Sequence, residues 1–413
     1  MTLVPPFGDD TRTGQYRVSG VDDHPRIAWR AATTTPVDIS PLLIGDHLVA
    51  LDRTGTVTCW NARTGELRWS VSRAGRPRRL DGVPAAGLAA FGELLFVMDE
   101  PQAEHLVVRS LRTGEILDGL GPVPNGFPTV VSEELLIHGF RSPDEDVLLS
   151  LPDLTERWRV TLDQRRNWTH PAVDRATGIA YGARQFEPHH VHGGVGAFDL
   201  ATGKAVLIVN EVPEQEECPE CGEGASSGVI SQRHPVVVDG LVWVTMSVAG
   251  HCDTEGEAQA IIVGVNPANG RLEKTWRSPL SSDAFITGTD DSVTAANGRL
   301  FFLDYDEASS ASVLTSVGIT SMSTLWNRPL PGTTVGPAVV AQDTVYLATS
   351  TGTLTAVDEA TGDIRWTLET GESITWPDLG DWGEAGEIDP AVIPADRMLY
   401  LRTSTGILAV TSE

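Results

Sequence analysis

Residues 352–366 read GTLTAVDEATGDIRW, and this stretch decides the fold. Apolar and polar residues alternate as far as Asp358, a Thr-Gly pair follows, and a second run ends at Trp366. Alternation with a period of two predicts a half-buried strand, and glycine supplies the positive φ angle that a tight turn between strands requires. The stretch is therefore a predicted β-hairpin that ends in tryptophan.

The same hairpin recurs at intervals of roughly 45 residues. Clear copies stand at 48–69, 106–117, 194–207 and 261–276. A second apolar hairpin precedes many of them, most clearly at 234–246, 336–352 and 389–406. Four antiparallel strands in each repeat are typical of a β-propeller blade.

The opening strands predict an all-β fold, a single eight-bladed β-propeller of four-stranded antiparallel blades that spans residues 1–413. Its blades begin near residues 41, 84, 128, 171, 235, 294, 337 and 390. The last repeat stops one strand short, and residues 25–31 (PRIAWRA) form a strand that has no repeat of its own. We expect this N-terminal strand to complete the last blade, because closure of the ring removes exposed sheet edges. Residues 1–24 are then an N-terminal extension.

The motif D-x-x-T-G-x-x-x-W, as in DEATGDIRW, resembles the repeat of the pyrroloquinoline-quinone (PQQ) enzyme propellers. That family includes quinoprotein alcohol dehydrogenases and the propeller lipoprotein of the outer-membrane β-barrel assembly machinery. The resemblance implies that the repeat tryptophans dock between blades. It also implies that a quinone site needs two directly adjacent cysteines, which this sequence lacks, so we expect no PQQ.

Charge and hydropathy narrow the possible partners. The formal net charge of −26 would repel nucleic acid and anionic membrane surfaces. No apolar run approaches the roughly 18 residues that a membrane-spanning helix needs. The first residues have neither a basic start nor an apolar core of the kind that a secretory signal carries, so we expect a cytoplasmic protein.

Loop lengths distinguish the two faces of the predicted disc. Turns between strands one and two and between strands three and four are short, and we call their side the short-turn face. The opposite side, the long-loop face, receives the long stretches 183–194, 210–232, 248–259 and 371–388, which we expect to be loops. Binding residues concentrate on loops that a rigid scaffold carries, so we expect a ligand site on this face.

Three cysteines fall on the long-loop face. Cys218 and Cys221 have C-x-x-C spacing, and His251 and Cys252 lie in the next blade. Three cysteines and a histidine are a ligand set of structural zinc sites, so the four residues predict a zinc ion. A redox pair and two solvent-exposed thiols remain open alternatives, and Cys59, on an alternating strand, is expected to be buried.

Residues that precede the opening strands should ring the channel on the long-loop face. They include two histidines and an acid, which we predict as catalytic candidates: His170, His234 and Asp389. Aromatic and charged residues nearby predict a ligand pocket. Its candidate residues are Arg165, Arg166, Trp168, His190, His192, Trp376, Asp378 and Trp382.

Two functions remain open at this point. The first is a binding module that engages a small molecule, a peptide or a protein on the long-loop face. The second is a non-redox enzyme, such as a cyclase, lyase or isomerase, that uses the histidines as acid and base or as metal ligands.

Overall fold

The repeated hairpins form eight antiparallel sheets in the computed structural model, and these sheets are the blades of a propeller. The structure describes residues 3–4, 8–37, 39–72, 87–99, 105–121, 123, 126–139, 145–161, 165–167, 171–186, 192–209, 226–230, 234–250, 258–282, 293–306, 309, 311–374 and 389–412. The predicted fold class, an eight-bladed propeller, is confirmed. None of the described residues belongs to a helix that is long and apolar enough to cross a membrane.

Three strands precede the first blade: β1 (Leu3–Val4), β2 (Gln15–Tyr16) and β3 (Pro25–Ala32). The strands of blade 1 are β4 (Leu42–Ile44), β5 (His47–Leu51), β6 (Val57–Asn61) and β7 (Leu67–Val71). Those of blade 2 are β8 (Leu88–Phe91), β9 (Leu94–Asp99), β10 (His105–Ser110) and β11 (Ile116–Leu120). Blade 3 consists of β12 (Gly126–Val131), β13 (Glu134–Gly139), β14 (Glu145–Ser150) and β15 (Glu156–Thr161).

In blades 4 and 5, two short strands occupy the innermost position of the sheet. Both pair with the same longer strand, which follows them in the chain. Blade 4 contains β16 (Arg165–Asn167), β17 (Ala172–Asp174), β18 (Ile179–Phe186), β19 (His192–Asp199) and β20 (Ala205–Val209). Blade 5 contains β21 (Ser226–Ile230), β22 (Val236–Val238), β23 (Leu241–Gly250), β24 (Ala258–Val265) and β25 (Leu272–Ser282).

The remaining blades have a single innermost strand. Blade 6 contains β26 (Val293–Ala296), β27 (Arg299–Asp306), β28 (Ala311–Gly318) and β29 (Thr324–Pro329). Blade 7 contains β30 (Val339–Ala341), β31 (Thr344–Ala348), β32 (Thr353–Asp358) and β33 (Ile364–Glu369). Blade 8 contains β34 (Val392–Ala395), β35 (Met398–Thr403) and β36 (Gly406–Ser412).

The N-terminal strand β3 closes the ring as the fourth strand of blade 8. It pairs antiparallel with β36, from Pro25 opposite Ser412 to Ala32 opposite Gly406. Two short strands in the predicted N-terminal extension pair with blades. Strand β1 pairs with β4 of blade 1, and β2 pairs in parallel with β30 of blade 7.

The hydrophobic core lies between neighbouring blades. Between blades 1 and 2 it contains Val49, Cys59, Trp69, Leu95 and Leu111. Burial raises the pKa of the Cys59 thiol to about 12. Cys59 is therefore a small apolar core residue, as its position on an alternating strand predicted.

Repeat tryptophans lock one blade to the Thr-Gly turn of the next. The Trp69 indole Nε1–H donates to the Leu111 carbonyl oxygen at 2.9 Å, and a Cβ atom on Gly114 would lie 2.6 Å from the Trp69 ring. Glycine is required there because its φ is +73° and because the ring covers it. The same lock joins Trp29 to Gly65, Trp158 to Gly203 and Trp326 to Gly362.

Trp366 of blade 7 differs from the other repeat tryptophans. Its indole N–H is buried and has no hydrogen-bond partner among the described residues. The cause is topological: β36 and β3 come from opposite ends of the chain, so no turn joins the third and fourth strands of blade 8. The carbonyl that such a turn would offer is therefore missing at this joint.

This difference predicts that two Trp-to-Phe substitutions change the free energy of unfolding by different amounts. Trp69→Phe removes a made hydrogen bond and should lower the free energy of unfolding by about 1–3 kcal/mol, because the buried Leu111 carbonyl loses its donor. Trp366→Phe removes an unpaired donor, so we expect a change within about 1 kcal/mol of zero. Urea titrations of both variants measure the difference, and equal losses would contradict the explanation.

Candidate functional site

Paired strands extend into the long-loop face at blades 4 and 5. Strands β18 and β19 stay paired along their whole length, from Ile179 opposite Asp199 to Phe186 opposite His192. The expectation that 183–194 is a loop is therefore wrong for 183–186 and 192–194. Pairing satisfies the backbone groups of the extended hairpin, which a loop would have to leave to water.

Blade 5 is extended in the same way. Strand β23 pairs with β24 as far as Val248 opposite Gln259, and β21 adds to the free side of β23, with Ser226 opposite Gly250. Residues 226–230, 248–250 and 258–259, expected to be in loops, are thus strand residues. We call the strand residues at the long-loop face of blades 4 and 5 the raised hairpins. They are residues 165–167, 183–186, 192–194, 226–230, 246–250 and 258–261.

We call the long-loop face at blades 7 and 1 the low side, because its described turns between the second and third strands are short. Its turns between the second and third strands are closed by short-range hydrogen bonds. In blade 7 the Gly352 N–H donates to the Thr349 carbonyl at 2.9 Å, and in blade 1 the Asp52 carboxylate accepts from the Thr56 N–H at 3.0 Å. Among the described residues, the paired strands therefore extend farther at blades 4 and 5 than on the low side.

Asp389, a predicted site residue, joins blade 8 to blade 1. Its side-chain Oδ2 accepts from the Ser40 N–H at 3.0 Å, and its carbonyl oxygen accepts from the Arg402 guanidinium at 3.1 Å. Ser40 Oγ donates to the carbonyl of the neighbouring Pro390. Ser40 and Arg402 are buried, so Asp389 holds a blade joint in addition to any contact with a ligand.

Residues 8–21, which we call the axial segment, cross the inner strands of blades 4 to 7. The carbonyl oxygens of Asp10, Thr11, Thr13 and Gly14 accept hydrogen bonds from one inner strand after another. Their donors are the backbone N–H groups of Val173 (2.7 Å), Val237 (3.0 Å), Ala295 (2.7 Å) and Val340 (2.9 Å). The segment therefore meets a new blade at almost every residue.

Two side chains of the axial segment belong to the polar groups on the axis. Arg12 is buried, and its Nε donates to the Pro171 carbonyl at 3.0 Å. Burial raises the pKa of the Tyr16 phenol well above its ordinary value, and the carboxylates of Asp389 and Asp9 raise it further. Sequence reasoning missed both residues. The signal was present, since Asp10–Gly14 (DTRTG) copies the D-x-x-T-G turn motif.

His234, the residue before Pro235 at the start of blade 5, is 3% exposed. Like Asp389, it stands directly before a proline that leads into an innermost strand. A buried imidazole at this place fits a structural role on the axis as well as a catalytic one.

Most of the other predicted site residues lie outside the described part of the chain. These are the catalytic candidate His170, the pocket residues Trp168, His190, Trp376, Asp378 and Trp382, and Cys218, Cys221, His251 and Cys252 of the zinc site. Arg165, Arg166 and His192 lie on strands of the raised hairpin in blade 4, opposite Phe186, Gln185 and Phe186 in turn. Within the described residues, no group of three or more His, Cys, Asp or Glu is placed to hold a metal ion.

The sequence lacks the pair of adjacent cysteines that the resemblance to the PQQ enzymes implies for a quinone site. The four cysteines stand at 59, 218, 221 and 252, so none has a cysteine as its neighbour, and Cys59 lies in the core between blades 1 and 2. The described axis carries Arg12, Tyr16 and Asp389 instead. We therefore derive no quinone step.

Comparison with family models gives one match over most of the chain. The model described as outer membrane protein assembly factor BamB matches residues 11–121 and 144–368. Comparison with curated proteins gives no significant match.

Solved structures share the fold at low sequence identity. BamB from Moraxella catarrhalis matches with a TM-score of 0.61 and 13% identity, covering 94% of this chain and 98% of its own. Quinohemoprotein alcohol dehydrogenase from Comamonas testosteroni matches with a TM-score of 0.69 and 12% identity, covering 99% and 80%. The computationally designed Ika8 protein matches with a TM-score of 0.59 and 10% identity, covering 96% and 100%. Because the same fold occurs in an assembly factor, an oxidoreductase and a designed protein, it does not fix the activity.

Proposed function

The chain belongs to the family of the outer membrane protein assembly factor BamB, and we propose that it is a non-catalytic scaffold that binds a protein or peptide partner at the raised hairpins of blades 4 and 5. One observation supports the proposal: among the described residues, the paired second and third strands extend farther at blades 4 and 5 than at blades 7 and 1. A backbone that is already paired has less conformational entropy to lose when a partner binds.

The groups on the axis support binding over catalysis. A general acid or base must be within reach of a substrate proton. The Asp389 carboxylate instead accepts the Ser40 N–H, and Arg12 donates to a backbone carbonyl. The first contact joins blade 8 to blade 1 and the second joins the axial segment to blade 4, so these two described groups already carry structural hydrogen bonds.

The family description and the charge support a protein partner. An assembly factor, as the matching family is described, works on other proteins. The net charge of −26 favours a partner surface that is basic.

Site-specific photo-crosslinking in the native host tests the proposal. A photoreactive residue replaces Gln185 on the raised hairpin, exposed Thr351 on the low side of the same face, or exposed Asp363 on the short-turn face. We expect one discrete protein partner crosslinked at 185 and much weaker crosslinks at 351 and 363. Crosslinks of equal yield at 363, or no protein crosslink at 185, would overturn the proposal.

We also propose that a structural zinc ion ties the raised hairpins together. The pairing of Ser226 with Gly250 brings two chain segments to one end of the β21–β23 pair. Cys252 follows Gly250 by two residues, which limits its Cα to about 7 Å from that of Gly250, and Cys221 precedes Ser226 by five, a limit of about 18 Å. Three thiolates and His251 make up a tetrahedral zinc ligand set.

Zinc content tests this second proposal. In protein purified without added metal, we expect about one zinc ion per chain for the native sequence and much less for Cys218→Ser. Cys59→Ala is the matched control, because it removes a cysteine that is buried between blades 1 and 2. Zinc that is absent from the native protein, or unchanged in Cys218→Ser, would contradict the site.

A further inference from the structure

The outermost strand of blade 2, β11, carries no tryptophan to lock it to the next blade. Asp118 stands at the place of the repeat tryptophan. It lies opposite Val108, next to a β-bulge, as Trp69 of β7 lies opposite Cys59, next to the bulge of that blade. Residues 116–119 of β11 are all exposed, whereas Trp69 is buried. The strand that should pack against blade 3 therefore keeps an exposed surface.

The turn of blade 3 has changed together with β11. Leu154 stands at the place of Gly114, since each donates its N–H to the carbonyl four residues earlier, at 2.9 Å and 2.8 Å. Leu154 has a φ of +57° and is half-buried. A side chain at this place excludes a tryptophan ring, because a Cβ atom on Gly114 would lie 2.6 Å from the ring of Trp69. Both halves of the lock are thus replaced at this joint.

Strand β11 also lacks the basic residues that protect other sheet edges. Lysine and arginine on an edge strand oppose the addition of a further strand. At least one of them is present in the outermost strands β3, β7, β15, β25, β29 and β33, and neither is present in β11 or β20. Side chains are described for β11 and not for β20. In β11, Ile116 is 61% exposed and Leu117 is 56% exposed.

Leu117 stands where two other blades have an arginine. Arg68 in blade 1 and Arg365 in blade 7 directly precede the repeat tryptophan, as Leu117 directly precedes Asp118. Both arginines form ion pairs with an acid in the turn between the first and second strands of their blade, Arg68 with Asp46 and Arg365 with Asp343 at 3.0 Å. Leucine at 117 removes the cation of this pair from blade 2.

Glu93 keeps the acid of the pair in blade 2. Its carbonyl oxygen accepts from the Leu111 N–H at 2.8 Å, as the Asp46 carbonyl accepts from the Ala62 N–H at 2.9 Å, so the two acids occupy equivalent places. Glu93 is exposed, and Leu117 gives it no cation. Blade 2 therefore presents a carboxylate beside exposed apolar side chains, on a strand with a free side.

We propose that Glu93, Ile116, Leu117 and Asp118, which we call the blade 2 edge, form a docking surface for an extended segment of a partner protein. This segment carries an arginine among apolar side chains. It adds to the free side of β11 as a further strand, in the way that extended peptides add to exposed sheet edges. Its apolar side chains cover Ile116 and Leu117, and its arginine binds Glu93 as Arg68 binds its acid in blade 1. Asp118 and the net charge of −26 favour such a basic segment over a second copy of this chain.

The blade 2 edge goes beyond the proposed binding function, since it lies on a different blade from the raised hairpins. A labelled peptide of alternating valine and arginine, about eight residues long as strands commonly are, is the probe for it. A peptide of valine and glutamate is the reference. Leu117→Arg restores to blade 2 the arginine of blades 1 and 7, which then occupies Glu93 and blocks the edge.

Leu325→Arg is the matched control. Leu325 directly precedes Trp326 in blade 6 and is 47% exposed, so the substitution adds the same charge at the same place in the repeat. Blade 6 has Gly298 at the place of Glu93, since its carbonyl accepts from the Ile319 N–H. Both substitutions fall on exposed positions, and equal urea midpoints confirm that both variants fold.

Fluorescence anisotropy measures the affinity of each peptide for the native protein and the two variants. We expect the arginine peptide to bind Leu117→Arg at least about tenfold more weakly than the native protein, and to bind Leu325→Arg within about twofold of it. Glu93→Gln should also weaken binding, and the glutamate peptide should bind none of the proteins. Equal affinities for Leu117→Arg and Leu325→Arg would show attraction by net charge alone and overturn the proposal. A native protein that sediments as a dimer, with Leu117→Arg a monomer, would assign the edge to a second copy and overturn it as well.

Discussion

We expect Trp69→Ala to lower the free energy of unfolding by about 3–5 kcal/mol, the range for removing a large aromatic side chain from a core. Trp69 is 9% exposed and lies in the core between blades 1 and 2, where its ring covers Gly114 and its N–H reaches the Leu111 carbonyl. The substitution leaves a cavity in the joint between two blades and an unpaired carbonyl beside it.

Urea titration followed by tryptophan fluorescence measures this loss. Leu67→Ala is the matched control in the same strand, because Leu67 is 62% exposed and should change stability by less than about 0.5 kcal/mol. Similar losses in the two variants would contradict the idea that the tryptophans lock the ring.

Gly65→Val lowers the free energy of unfolding by about 2–5 kcal/mol, from two costs. The first is about 1–2 kcal/mol for a branched residue at a φ of +72°, and the second is about 1–3 kcal/mol of overpacking. Overpacking arises because a Cβ atom at 65 would lie 2.7 Å from the Trp29 ring. The joint affected is the one that joins the closing strand to blade 1.

Gly178→Val separates the two costs. Gly178 has a φ of +70°, and an added Cβ meets nothing within 4 Å, so this variant carries the backbone cost alone. The double variant Trp29→Ala with Gly65→Val should lose less than the sum of its single variants, since removal of the ring relieves the clash. Additive losses would show that valine at 65 does not contact Trp29.

The blades could be predicted from sequence because each is specified locally. An alternating strand, a Thr-Gly turn and a terminal tryptophan fix the hairpin, and the unpaired strands at the two chain ends fix the closure. Asp389 was placed at the channel mouth for the same reason, by its position before an opening proline. Its bond to Ser40 depends on two residues far apart in the chain, which no local pattern reveals.

The sequence did not predict the contacts of the axial segment or the strand pairing of the raised hairpins, and each failure has a physical reason. The segment uses its backbone carbonyls as acceptors, and such contacts leave no pattern of side-chain hydrophobicity. In the hairpin of blade 4, residues 192–194 are His-Gly-Gly, which have low strand propensity and pair because the neighbouring strand is already in place. Both the backbone contacts of the segment and the strand pairing in blade 4 therefore depend on neighbouring parts of the fold and not on local sequence.

The most direct measurement of the central claim is the affinity for the partner that crosslinks at residue 185 after the blade 4 hairpin has been shortened. Ala183 and Val195 are paired, so residues 184–194 can be replaced by Asn-Gly, which keeps β17, β20 and the lower parts of β18 and β19 and removes the partner of β16. Replacement of Ser350–Thr351 by the same dipeptide, on the low side of the face, is the control. We predict an affinity at least about tenfold weaker, a loss of about 1.4 kcal/mol, for the shortened hairpin only. An affinity equal to that of the control variant would contradict binding at the raised hairpins.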